Sequence, residues 1–146
     1  MVLWRISRHQ DLSGAGGLRA SGRWHYPGQP VVYMTESPAS ALLEVCVHTA
    51  ANDVPPTFTL LRIEGPLSRV EKISEADLPL RWRTDPQVTR DLGTDWLRAC
   101  SGLLLRVPSA IVPTTANYLF NPAHPDAVAF RIKEAINYPF DHRIKE

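Results

Sequence analysis

The chain has 146 residues, of which 44% are hydrophobic and 21% charged, and its formal net charge is +1. That size fits a single domain over residues 1–146, able to bury roughly two-thirds of the surface its unfolded form exposes. No basic run marks a nucleic-acid or anionic-membrane footprint, no apolar run approaches the roughly 20 residues that span a bilayer, and the N-terminus lacks the basic-then-apolar order of a secretion signal, which points to the cytoplasm.

In chain order, residues 2–6 read as a first strand. Residues 9–22, with glycines at 14, 16, 17 and 22, read as a loop. Pro30 to Met34 is a β-branched and aromatic run, hence a strand. Ser37 followed by Pro38 is an N-cap with proline at the first helical position, predicting a helix from Ala39 to about Ala50. Leu42, Val45 and Cys46 share one side of it, and Glu44 and His48 share a face. Phe58 to Glu64 and Val70 to Ile73 read as strands. Pro86 to Ala99 reads as a helix with a break near Gly93. Leu103 to Val107 and Tyr118 to Asn121 are further strands. So is Val128 to Ile136, where Val128, Phe130, Ile132 and Ile136 keep a period of two. Strands outnumber helices without strict βα alternation. The pattern predicts an α+β fold with a mostly antiparallel, split sheet and flanking helices.

Several polar residues stand in apolar text: Arg23, Tyr33, Glu44, Ser109, Asn117 and Asn121. Burying such groups without partners is costly, so they tend to face one another or a ligand. Each also has a structural reading. Arg23, between Gly22 and Trp24, suits a phosphate or carboxylate, or a structural ion pair; Gly22 would let backbone approach a ligand. Tyr33 is a strand aromatic, or a ring that stacks on a flat heterocycle and offers a hydroxyl. Glu44 lies in a cleft, or on a solvent stripe with Ser40 and His48. Ser109 follows Pro108 at a strand end and suits a turn; no Gly-x-Ser-x-Gly elbow supports a serine hydrolase. Asn117, Asn121, His124 and Asp126 fit turn chemistry, although Asn121 could also present its amide to a ligand. Cys46 and Cys100 read as small buried hydrophobes, and neither the cysteines nor the five histidines have metal-ligand spacing.

Read together, these residues resemble the RES-domain family, the toxin half of RES–Xre type II toxin–antitoxin modules, named for an Arg, a Glu and a Ser. Arg23 in Gly22-Arg-Trp-His25, Glu44 in Ala41-Leu-Leu-Glu44 and Ser109 in Val107-Pro-Ser-Ala110 carry the match. Tyr33 matches the family's active-site tyrosine. The stretches Asn117 to Pro122, His124 to Asp126 and Pro139 to Arg143 extend the match over about residues 2–143.

The resemblance implies a fold like the ADP-ribosyltransferase domain of diphtheria-type toxins, with NAD as substrate and no separate cofactor. It implies cleavage of the nicotinamide–ribose bond by hydrolysis or phosphorolysis, and a cognate Xre-type antitoxin as partner. In that setting Glu44 would stabilise positive charge on the ribose, and Arg23 would neutralise the pyrophosphate or grip the adjoining ribose. Tyr33 would stack on nicotinamide, and Ser109, with Asn121, would hydrogen-bond the bound dinucleotide. The competing readings are a mono-ADP-ribosyltransferase acting on a cellular protein and a non-catalytic nucleotide-binding module.

Overall fold

The apolar and β-branched runs become seven strands. They are β1 (Val2–Ile6), β2 (Val32–Thr35), β3 (Thr57–Glu64), β4 (Val70–Lys72), β5 (Leu104–Pro108), β6 (Ala116–Phe120) and β7 (Arg131–Pro139). The computed structural model describes residues 1–145. The strands form one sheet in the order β4-β5-β6-β2-β1-β3-β7. β4 and β5 run parallel, and all other neighbours are antiparallel.

Strand β1 pairs with β3 along its whole length, and β2 does the same with β6. Among the described residues, β1 and β2 meet at a single register pair, Trp4 opposite Thr35. The expected split is therefore a waist in a continuous sheet.

Alternation along the strands sends side chains to opposite faces. Val32, Met34, Leu104, Tyr118 and Phe120 join Leu3, Leu61 and Ile63 in one core. Leu105, Val107 and Leu119 point the other way and join Trp24, Trp82, Trp96 and Leu97 in a second, with Tyr33 packed against it. Full burial of one such aliphatic side chain contributes about 1.5–3 kcal/mol.

Three helices flank the sheet: α1 (Gly16–Arg19), α2 (Pro38–His48) and α3 (Pro86–Ala99). Helix α1 falls inside the stretch expected to be a loop. Helix α2 starts where the sequence places it, with the Ser37 hydroxyl accepting from the Ser40 N–H at 3.1 Å. It packs on both β1 and β2, across the waist. Ala41 and Cys46 are buried, and Leu42 and Val45 are half-buried.

Helix α3 runs through Gly93 without the expected break. Glycine is there for a tertiary reason: a side chain at that position would overlap the Trp24 carbonyl oxygen. The same helix pins the segment around Trp24 by side-chain bonds. Thr89 Oγ1 donates to the Arg23 carbonyl at 2.5 Å, and Thr94 Oγ1 accepts from the Tyr26 N–H at 2.9 Å. The helix ends on Cys100 in the left-handed region, φ 52°.

The strand expected from Val128 begins later, at Arg131. Residues Pro125–Ala129 instead form a 3-10 turn, capped by His124 Nδ1 accepting from the Asp126 N–H at 3.1 Å. Pro125 fixes the first turn, and Val128 is left exposed, so its period-two match with Phe130 carries no strand meaning. Both cysteines are free thiols, Cys46 buried and Cys100 half-buried. No helix among the described residues is long and apolar enough to cross a membrane.

Candidate active site

A cleft of about 810 Å³ opens beside the waist, within the range typical of small-molecule sites. Its walls are β1 and β2, helix α2, the segment around Arg23, and the start of α3. Asn117 of β6 and Ala110-Ile111 complete it. Arg23, Tyr33 and Glu44 all line this cleft, so three of the residues singled out by sequence converge.

Arg23 sits in a tight turn closed by a bridge between Gly22 and His25. Its Nη2 donates to the carbonyls of Trp82, at 2.8 Å, and Arg83, at 2.6 Å. Its guanidinium carbon lies 5.6 Å from the Trp82 ring centroid. These contacts fix the fork but leave its charge uncompensated, since no carboxylate lies in ion-pair range among the described residues. Burial, then the charge of Arg90, pushes its pKa below the usual guanidinium value, and Glu44 pulls it back.

Tyr33 is held by its hydroxyl. The oxygen accepts from the Trp24 N–H at 3.0 Å and lies 2.7 Å from His25 Nδ1. That nitrogen accepts from the Gly22 N–H at 3.1 Å, while Nε2 lies 2.9 Å from the Ala20 carbonyl. One arrangement satisfies all of these: a neutral His25 with its proton on Nε2, taking the Tyr33 proton at Nδ1. Burial first, and Arg90 with it, lowers the His25 pKa and keeps the ring neutral. Burial raises the Tyr33 pKa. The phenol hydroxyl is thus consumed inside the protein, and the ring is what Tyr33 offers to the cleft. Gly22 is explained by the same network. A Cβ there would fall 2.5 Å from the Tyr33 hydroxyl oxygen, so its missing side chain serves tyrosine rather than a ligand.

Glu44 projects from the middle of α2. Asn117 Nδ2 donates to its Oε1 at 2.8 Å, and His48 Nε2 lies 3.9 Å from Oε2. Glu44 and His48 share a face as expected, but Glu44 is half-buried in the cleft and not on an open stripe.

Arg90 is a functional candidate that sequence reasoning missed. It lines the cleft from α3, and its Nε donates to the Gly22 carbonyl at 2.8 Å. Nothing local distinguishes it, because arginine on an amphipathic helix ordinarily faces water. Arg5 also lines the cleft. The Arg5 side chain shares the sheet face of Leu3 and Leu61 and has Asp11 as its charge neighbour, so two guanidiniums, those of Arg23 and Arg90, face one carboxylate, and neither is in an ion pair with a described residue. This charge balance favours an anionic ligand.

Ser109 and Asn121 lie elsewhere. Ser109 is buried, and its Oγ accepts from the N–H groups of Ile111 and Val112 at 3.1 and 3.2 Å. It lines a separate pocket of about 230 Å³ with Lys72 and Arg106. It shapes the turn that brings Ala110 and Ile111 to the cleft without itself lining it. Asn121, expected to reach a ligand, is fully buried. Its Nδ2 donates to the Leu97 carbonyl at 3.3 Å, and its Oδ1 accepts from the Ala123 N–H at 3.1 Å. That amide ties the end of α3 to the chain after β6. Among the described residues, no three His, Cys, Asp or Glu side chains gather in a way that could hold a metal ion.

Comparisons with known proteins bear on the whole chain. The family model of the RES domain matches residues 2–141. Toxin Res of Pseudomonas putida is 54% identical over 138 residues, covering 91% of this chain and 92% of that protein. A Sphingobium protein named Prs ADP-ribosylating toxin is 36% identical, over 97% of this chain and 94% of its own length. The crystal structure of the Mycobacterium tuberculosis MbcT–MbcA toxin–antitoxin complex contains a chain with a TM-score of 0.75 at 19% identity, covering 94% of this chain and 84% of that one. The α+β fold with its mostly antiparallel sheet is shared with that structure.

Proposed function

This chain belongs to the RES domain family, and we propose that it is the toxin of a toxin–antitoxin pair, acting on cellular NAD by cleaving the nicotinamide–ribose bond. The observation that carries the reading is the convergence of Arg23, Tyr33 and Glu44 on one cleft, where the Arg23 and Arg90 guanidiniums form no ion pair among the described residues.

The chemistry follows from where charge sits. As the ribose C1–nitrogen bond breaks, its electron pair passes to the nicotinamide nitrogen and cancels the pyridinium charge. Positive charge moves to the ribose, where the Glu44 carboxylate stabilises it. Water then adds to C1 and loses a proton, giving ADP-ribose; phosphate as acceptor gives ADP-ribose 1-phosphate. Arg23 and Arg90 neutralise the diphosphate, and the Tyr33 ring stacks on the departing base and aligns it. Ser109 acts through the turn at Ile111.

The test is incubation of purified protein with NAD, with and without phosphate, followed by mass analysis. Release of nicotinamide with ADP-ribose or its 1-phosphate is expected, and Glu44→Ala is expected to slow it by about a hundredfold or more. Intact NAD after prolonged incubation with folded protein overturns the proposal.

A second reading is transfer of ADP-ribose to a protein, favoured by the 36% identical relative named for ADP-ribosylating Prs. Labelled NAD added to a cell extract separates the two, because transfer leaves label on a protein band. The likeness to a chain solved in a toxin–antitoxin complex supports an antitoxin partner for this chain, with the Xre type as its proposed class and the cytoplasm as the proposed location.

A further inference from the structure

We infer that Asn117 is a positioning residue whose amide holds the Glu44 carboxylate in its working orientation without neutralising it. The inference rests on the reading of Glu44 as the carboxylate that meets positive charge in the cleft.

Asn117 stands on a rigid element. It lies in β6 opposite Thr35 of β2 on one side and Val107 of β5 on the other. The Thr35 hydroxyl in turn donates to the Ser37 carbonyl at 2.8 Å, at the cap where α2 begins. Strand and helix are therefore indexed to each other at the root of α2, and Glu44 comes about two turns later. The 2.8 Å bond from Asn117 Nδ2 to Glu44 Oε1 closes this frame.

The orientation of the amide is set by chemistry. Reversed, its carbonyl oxygen would face a carboxylate oxygen. With nitrogen toward Glu44, Oδ1 is left buried, with no hydrogen-bond partner among the described residues. An unpaired buried acceptor is a standing penalty. An aliphatic residue in the same strand position would avoid it and suit β6, whose Leu119 and Phe120 are buried. The polar group thus makes its one described bond to the residue proposed to do the chemistry. A neutral donor also suits that task better than a lysine or arginine. It fixes one carboxylate oxygen and leaves the negative charge available for the ribose.

The test is a double-mutant cycle on the full chain with Asn117→Leu and Glu44→Ala, read by NAD turnover and by urea unfolding. Asn117→Leu is expected to lower kcat by tenfold or more, with KM changed less than threefold and a urea midpoint no lower than wild type. In the Glu44→Ala background the same substitution is expected to leave kcat unchanged, because the group it acts through is gone. Equal losses in both backgrounds, or an undiminished kcat, overturn the inference. So does a fall in urea midpoint that tracks the activity, since that marks a structural role. If wild-type protein turns over no NAD, the proposed reaction fails by itself. The unfolding midpoints then still decide the contact, and strictly additive shifts overturn it.

Discussion

Gly93 of α3 lies directly against the carbonyl oxygen of Trp24, leaving no room for even one methyl group. This approach sets the turn that carries Arg23 against the helix that carries Arg90. In an isolated helix, Gly→Ala is stabilising by about 1 kcal/mol. Here the obstacle is backbone and cannot step aside, so the sign reverses. Gly93→Ala is expected to lower stability by about 1–3 kcal/mol or more, seen as a reduced urea midpoint, together with weaker NAD turnover.

Tyr33→Phe separates ring from hydroxyl. The ring remains for stacking, but the Trp24 N–H loses its partner and His25 Nδ1 keeps only the Gly22 N–H. Stability should fall by about 1–3 kcal/mol, while turnover stays within about tenfold of wild type when measured well below the unfolding midpoint. A collapse of kcat in a folded Tyr33→Phe protein would show that the hydroxyl itself meets substrate.

The His25 network gives stability a pH dependence of known sign. Burial holds the native pKa below the unfolded value of about 6.5. A depressed histidine pKa means that the unfolded state takes up the proton first as pH falls. The contribution is complete above about 6.5 and is lost as pH drops from there toward the native pKa. Urea midpoints between pH 8 and 5 should decline on the acid side, and the decline should be shallower in His25→Gln.

Arg90→Gln removes one of the two proposed diphosphate contacts while the Arg23 fork stays pinned to Trp82 and Arg83. A lost charge-assisted bond corresponds to about 1.5–3 kcal/mol. KM for NAD should therefore rise about tenfold or more, and its dependence on ionic strength should weaken. An unchanged KM would leave Arg23 as the only one of this pair that engages the ligand.

Ser109→Ala removes the acceptor for two backbone N–H groups in the turn leading to Ile111. The expected loss is about 1 kcal/mol of stability, with catalysis affected chiefly through KM. A large fall in kcat at unchanged stability would instead place the hydroxyl on the substrate.

Much of this architecture was legible in the sequence because it is local. The Ser37-Pro38 signal marks α2, and the β-branched runs mark most strands. Arg23, Tyr33 and Glu44 stood out as polar groups in apolar surroundings. What escaped is tertiary. Gly93 reads as a helix breaker because propensity does not see the Trp24 carbonyl. His25 draws no notice until Tyr33 is folded onto it. Ser109 and Asn121 carry the same apolar surroundings as the cleft residues, yet their polar atoms are occupied by nearby backbone. Burial of a polar residue was readable, but whether backbone or ligand satisfies it was not.

The Trp4–Thr35 pair has a dynamic meaning as well. The hydrogen-bonded ladder narrows to that one rung, so opening on one side is poorly transmitted to the other. Deuterium uptake should partition the sheet into a four-strand block and a three-strand block that protect their amides independently. The cleft lies on the boundary between them, so an occupant touching both β1 and β2 would act as a brace, slowing exchange in the two blocks together.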